Sequence, residues 1–355
     1  MKSRPTLIAI RLRQLGDVLA TLGTLRAIKK SDPNRRVVYI VDSLFHELLS
    51  EVEFIDLLLP EPPHTHGLRG SSEYERYVQQ IRELRADSVI DFHGSLRTAI
   101  LSALTGAPRR IGFNVRLRSA FYTHVEPRAE FENGRRLPRT SHESAMSLAR
   151  RGGLVSVAGR AGETITVPAV RIESASEIFG ELGLPAGVVS AHKLIGLNPG
   201  KAYASKEWGE DRFVELCEQL THEGNSVLVT WGPGERPRAA RIVGRVRKGV
   251  FLSPPLKLHE VPGVLASLSL LVTIDSGLKH LAVAVGTPTV TLFGPTSPGE
   301  WHMGGTNDRV LWAGLSCSPC RLLECPFGRP PCMQRLTPDA VMNEVASVRE
   351  SLVSV

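Results

Sequence analysis

Apolar and polar positions along the chain alternate between short β-rich runs and stretches of helical period. In the first half, Thr6–Ile10, Val37–Val41, Asp56–Leu59 and Ser88–Phe92 read as strands. Asp17–Lys30, Ser43–Glu51, Tyr74–Arg85 and Leu96–Leu104 read as the helices between them. The pattern returns after residue 190, with strands at Leu194–Leu197, Ser226–Trp231, Leu270–Ile274 and Thr289–Phe293. Asp211–Thr221, Arg238–Val246 and Leu278–Val285 have the helical period. Strands separated by single helices are βαβ units, which build parallel sheets covered on both faces.

A chain of 355 residues exceeds a typical single domain. The expectation is α/β: two Rossmann-like, doubly wound domains facing across a cleft, residues 1–170 and 171–355. Arg151 to Pro185, rich in Gly and Ala and weakly periodic, suits a hinge between them. Sites in such sheets lie beyond the carboxyl ends of the strands. The longest apolar candidate, Val261 to Ile274, stops at Asp275, short of the roughly 18 residues that suggest a membrane span. The run Leu7–Ile10 is too short for a signal peptide. A cytoplasmic location is expected.

Charge adds an asymmetry. Residues 1–178 hold 26 basic against 20 acidic residues, while residues 179–355 hold 17 against 16. Between Arg97 and Arg139, nine arginines meet three glutamates. Such a field either faces solvent or favours an anionic partner. Aromatic residues make up only 6% of the chain and do not interleave a basic stripe, which argues against nucleic acid.

Four segments carry candidate chemistry. Arg11-Leu-Arg-Gln-Leu-Gly16-Asp17 joins the first strand to the first helix. Asp17 there is either a helix N-cap or a carboxylate able to take a proton from a hydroxyl. The segment lacks the Gly-x-Gly-x-x-Gly fingerprint of dinucleotide-binding dehydrogenases. Gly196 to Trp208 runs from a strand into a loop with Lys206, which is either solvated or placed to neutralise a diphosphate leaving group. Asp275-Ser276-Gly277-Leu-Lys279-His280 closes a buried strand and opens a helix, where free N–H groups and the helix dipole suit a pyrophosphate. The alternative there is a capped turn with a core histidine. Glu235, after Trp231-Gly-Pro-Gly, either serves the dipole of the next helix or accepts from ribose hydroxyls.

In series these segments resemble glycosyltransferase family 9, the ADP-heptose:lipopolysaccharide heptosyltransferases. The similarity rests on Leu15-Gly-Asp-Val18, Asp91-Phe-His-Gly-Ser-Leu-Arg97, Arg110-Ile-Gly-Phe113, Asn198-Pro-Gly200, Lys206-Glu-Trp208, Asp275-Ser-Gly-x-x-His280 and Phe293-Gly-Pro-Thr296. The resemblance implies a GT-B fold and inversion at the anomeric carbon, with no cofactor required. It implies a nucleotide-sugar donor, an anionic lipid-linked saccharide acceptor, and peripheral contact with the inner membrane surface. By position, Asp17 would be the general base and Lys206 would stabilise the leaving ADP. Asn198, Ser205, Glu235, Asp275, Ser276, Gly277 and His280 would bind the donor, and Arg97 and Arg110 would shape the acceptor side. A UDP- or GDP-hexose donor on the same fold, or nucleotide binding without catalysis, are the alternatives.

Four of the five cysteines, Cys317, Cys320, Cys325 and Cys332, cluster near the C-terminus. A similar segment occurs in some family members. The spacing suits a structural zinc or iron knuckle away from the chemistry, or else free thiols or a disulfide.

Overall fold

The computed structural model describes residues 4–62, 72–128, 131–132, 135–136, 139–156, 172–185, 187–200, 203–302 and 307–353. The chain divides into two compact units, Met1–Ile165 and Thr166–Val355. The boundary expected at 170/171 and the middle of the expected hinge lie outside the described residues.

Unit one holds strands β1 (Thr6–Ile10), β2 (Arg36–Asp42), β3 (Leu57–Glu61), β4 (Ser88–Asp91), β5 (Arg109–Asn114) and β6 (His124–Pro127). They form one sheet in the order β3-β2-β1-β4-β5-β6, parallel throughout. A two-stranded antiparallel ribbon, β7 (Phe131–Glu132) with β8 (Arg135–Arg136), follows. Unit two holds β9 (Leu194–Asn198), β10 (Ser226–Val229), β11 (Val250–Leu252), β12 (Leu270–Ile274), β13 (Thr289–Phe293) and β14 (Asp308–Trp312). Its order is β11-β10-β9-β12-β13-β14, again all parallel. Each sheet therefore has the doubly wound order 3-2-1-4-5-6 of a Rossmann domain, and the pair are the two Rossmann-like domains of a GT-B fold.

The central strands are apolar on both faces because helices cover both sides. Every residue of β1, β9, β12 and β13 is buried. The helix Glu210–His222 turns Phe213, Val214, Leu216, Cys217 and Leu220 inward. Val341, Val345 and Val348 of the helix Pro338–Val353 join the same core as an i, i+4, i+7 stripe. Trp208 is fully buried there, its indole donating to Leu336 O at 2.7 Å.

Four strands carry no clear apolar signal in the sequence. β5 opens with two arginines, β6 is a polar edge strand, β14 is an edge strand opening with Asp308 and Arg309, and β11 has three residues. The apolar stretch 261–274 divides into a helix Val261–Ala266 and β12. Among the described residues no helix is long and apolar enough to cross a membrane.

Candidate functional site

In both units the strand order reverses beside the first strand, between β1 and β4 and between β9 and β12. The loops leaving those four strands hold most of the chemistry-bearing segments. Each unit is described by itself.

In unit one, the helix after β1 is Leu15–Ser31, and its N-cap is Gln14, at φ 69°. Asp17 is thus not the cap read from the sequence; it lies in the first turn, where the dipole favours a carboxylate. One of its oxygens is ion-paired with Arg11. The other accepts from the Ser141 hydroxyl at 2.7 Å. Arg11 also donates to Phe92 O at 2.6 Å, which ties the β1 and β4 loops together.

The β4 loop is rigid for identifiable reasons. Asp91 is fully buried and accepts from the His93 and Gly94 amides, each at 2.9 Å, and from the Tyr122 hydroxyl at 2.7 Å. Gly112 is required because a Cβ there would lie 2.3 Å from the Tyr122 ring. This loop presents His93, whose Nδ1 lacks a hydrogen-bond partner. Burial first, then Arg11 among its neighbours, depress the His93 imidazole to about 4, so it is neutral at pH 7.

Arg97 sits in the first turn of the helix Leu96–Leu104 and pairs with Glu61 at 2.8 Å, at the end of β3. Burial outweighs Arg97 and raises the Glu61 carboxyl to about 7. Arg110 does not join this edge. It is the second residue of β5, at the opening end of the strand, and donates to Phe121 O at 2.8 Å and Ala107 O at 3.0 Å. Arg109 likewise donates to a main-chain oxygen, Gly152 O, at 3.2 Å.

In unit two, Gly200 follows β9 at φ +50°, and a Cβ would lie 2.6 Å from Ile274. The Asn198 amide is committed to Thr230 O at 3.2 Å. Lys206, only 8% exposed, donates to the main-chain oxygen of Asp275 at 2.8 Å and to its carboxylate at 2.9 Å. The Thr296 hydroxyl donates to the same carboxylate oxygen at 2.8 Å, and Lys279 approaches the other at 3.4 Å. Burial alone would raise the Asp275 carboxyl, but Lys279 and Lys206 outweigh it and hold it at about 2.

Ser276 is the N-cap of the helix Gly277–Ala284 and makes no side-chain cap bond, leaving the first-turn amides uncapped by it. His280, one turn in, is 4% exposed with Nδ1 unpartnered. Burial, then Lys279, lowers its imidazole to about 3. A buried carboxylate, two lysines and a neutral imidazole therefore gather where β12 meets the helix Gly277–Ala284.

Two residues expected on the donor side make contacts within the chain. The Glu235 carboxylate accepts from the Gly232 amide at 2.8 Å and closes its own turn. Ser205 donates to Leu322 O at 2.5 Å, and its amide donates to Leu323 O at 3.1 Å. The cysteine-rich segment thus straps the Lys206 turn, and Arg321 N donating to Pro295 O at 2.8 Å fixes it to the β13 loop. It is not remote from the chemistry as the sequence suggested.

Nor do its thiols assemble a metal centre: among the described residues no three His, Cys, Asp or Glu side chains converge to hold an ion. Cys317 and Cys320 are exposed, whereas Cys332 is buried below Gly294. The sequence assigns no role to Arg11, His93 or Lys279 within its motifs and does not mark Glu61 or Ser141, whose partners Arg97 and Asp17 lie far away along the chain.

The model of glycosyltransferase family 9 (heptosyltransferase) matches residues 74–329. The chain belongs to that family and is a glycosyltransferase. It is 26% identical to lipopolysaccharide heptosyltransferase 1 of Pseudomonas aeruginosa, over 96% of this chain and 97% of that one. Among solved structures it is similar to a glycosyl transferase family 9 protein of Veillonella parvula, with TM-score 0.80, 20% identity and 97% of each chain covered. It is also similar to E. coli ADP-heptose lps heptosyltransferase II, with TM-score 0.74, 19% identity and 97% and 98% coverage.

Proposed function

We propose that this glycosyltransferase moves heptose from ADP-heptose onto the inner core of lipopolysaccharide, with inversion at the anomeric carbon and without a catalytic metal. The observation that carries the reading is the buried Lys206–Asp275–Lys279 cluster beside the uncapped start of the helix Gly277–Ala284. Its two cations against one carboxylate leave a positive surplus, which suits a diphosphate. The heptosyltransferase relatives support the choice of sugar, and the ADP-heptose named for the E. coli protein supports the nucleotide.

In this reading Asp17 receives the proton of the acceptor hydroxyl as that oxygen attacks the anomeric carbon. The bond from that carbon to the diphosphate oxygen breaks, and ADP leaves with the electron pair. The Ser141 hydroxyl on Asp17 marks one line along which a hydroxyl reaches this carboxylate. Lys206 meets the charge developing on the leaving diphosphate, while Ser276, Gly277 and His280 line it and Asp275 orients Lys206. Residues 1–170 would bind the acceptor and residues 171–355 the donor, with Arg97 on the acceptor edge. An acceptor of this class is lipid-linked, so the enzyme would work from the cytoplasm at the inner membrane surface.

Calorimetry with ADP, UDP and GDP tests the donor. Selective affinity for ADP is expected, and a preference for UDP or GDP would replace the heptosyl donor by a hexosyl one. The anomeric configuration of the product, read by NMR, tests inversion. Full turnover in excess chelator is expected for chemistry carried by side chains alone.

A further inference from the structure

Lys279 is a costly residue to keep. It is 2% exposed, its ammonium group donates to Trp301 O at 2.5 Å, and it stands 4.9 Å from the centroid of the Phe293 ring. Burying a cation is expensive, and replacing a whole buried ion pair by apolar residues is often no less stable, whereas removing one partner alone is costly. Lys206 and the Thr296 hydroxyl both bond one oxygen of Asp275, and Lys279 stands 3.4 Å from the other. A second ammonium is more than the charge of one carboxylate requires.

The charge balance gives another reason. Lys206 and Asp275 alone form a closed ion pair with no net charge to offer an anion. Adding Lys279 on the other carboxylate oxygen leaves one positive charge over among buried groups, where it is screened less than at the surface. A second observation points to a missing ligand in the same place. His280 Nδ1 is buried without a hydrogen-bond partner among the described residues, in the turn that starts beside Asp275.

We propose that Lys279 is a positioning residue for the diphosphate of the donor, supplying the surplus positive charge of the pocket and bracing Asp275 so that Lys206 keeps a free N–H for the leaving group. Each ammonium has three donors. Two of Lys206's are spent on Asp275, which leaves one. Lys279 acts through charge and through Asp275, and does not touch the ligand. The inference deepens the donor reading above and rests on it.

The groups around Lys279 are Asp275, Lys206, His280, His302 and Asp308. Burial lowers the Lys279 ammonium to about 8 despite Asp275, whereas Asp275 at about 2 and His280 at about 3 titrate far below that. The terminal phosphate of ADP has its last ionisation at about pH 6 and only gains negative charge above pH 7. Raising the pH from 7 to 9 should therefore remove most of the Lys279 charge, and a fall in affinity would run against the ligand's own gain in charge.

The experiment is ADP calorimetry on wild type, Lys279→Met and Lys279→Arg at pH 7 and pH 9, with thermal melts of each. Lys279→Met, which leaves Asp275 paired with Lys206, should melt below wild type and bind ADP roughly 10- to 30-fold more weakly at pH 7. Wild-type affinity should fall towards that of Lys279→Met by pH 9, and Lys279→Arg should keep its affinity at both. Equal ADP affinity for wild type and Lys279→Met overturns the inference and spares the donor reading. If Lys279→Met does not fold, a wild-type affinity that is flat from pH 7 to pH 9 overturns it instead. A wild type that does not bind ADP at all overturns both.

Discussion

The Ser141 hydroxyl donates to the Asp17 carboxylate at 2.7 Å, although 124 positions separate the two in the chain. Ser141 opens a helix whose cap, Thr140, forms a reciprocal capping box with Glu143. That helix packs against Leu15–Ser31, and His142 meets Ala20 O at 3.2 Å. Two helix N-termini therefore converge on one carboxylate, and Arg11 takes its second oxygen. An aspartate serving only as a helix cap needs none of this.

Replacing Asp17 by Asn keeps the size and the hydrogen bond from Ser141 but removes the base. Turnover should fall by ~10²–10⁴-fold, the usual range for a general base, with ADP affinity unchanged. Near wild-type turnover in Asp17→Asn would show that the carboxylate only serves its helix.

Gly112→Ala should destabilise unit one. The added methyl meets the Tyr122 ring at 2.3 Å, and that ring cannot swing away without giving up its bond to buried Asp91. Overpacking of this kind costs about 1–3 kcal/mol. Thermal melts should show a clear drop, and the double variant Gly112→Ala, Tyr122→Ala should lose less stability than the two separate losses sum to. A melt unchanged by Gly112→Ala would mean the loop is softer than its hydrogen bonds imply.

Much of this architecture is written in the sequence as apolar runs. β1, β9, β12 and β13 are fully buried strands of five residues each, and such runs are legible without any partner. β6 and β14 are edge strands with one open side, so their polar residues give no period to read. The site divides in the same way. Asp17, Lys206 and the Asp275 turn announce themselves through local glycines and strand-to-helix junctions. Lys279 and Ser141 gain their meaning from Trp301 and Asp17, which no local pattern links to them.

Acid should destabilise the fold partly through His280. Its folded-state value lies near 3 because burial, then Lys279, disfavour the charged ring, against 6.5 in the unfolded chain. The unfolded state binds the proton more tightly, so this contribution is present above pH 6.5 and is lost as the pH falls towards 3. Its slope approaches about 1.4 kcal/mol per pH unit. His280→Gln should show a shallower loss of stability between pH 6 and pH 4 in denaturant titrations. Identical slopes would mean that the ring is protonated in the folded protein.

Thiol labelling of the native enzyme should follow exposure. Cys317 and Cys320 are exposed and should react first, and Cys332, raised by burial, slowly. Cys217, which burial pushes to about 12, should react only on unfolding. Protection of Cys317 and Cys320 that a chelator relieves would contradict the free-thiol arrangement and restore the metal knuckle.

Ser205→Ala separates two roles for one hydroxyl. The sequence suggests donor contact, whereas the structure gives its hydroxyl to Leu322 O at 2.5 Å and leaves Ser205 1% exposed. As a clamp, Ser205 holds the strap 317–329 against the turn that carries Lys206, and Lys206 needs that turn to reach Asp275. Removing one buried hydrogen bond costs about 1 kcal/mol and leaves the Leu322 carbonyl unsatisfied. Amide exchange across Leu322 and Leu323 should therefore quicken, with turnover reduced several-fold as Lys206 is held less firmly. Ser205→Thr, which keeps the hydroxyl, should restore both. A direct donor contact predicts the opposite split: weaker ADP binding in Ser205→Ala with the strap's exchange unchanged, and that result would return Ser205 to the donor pocket.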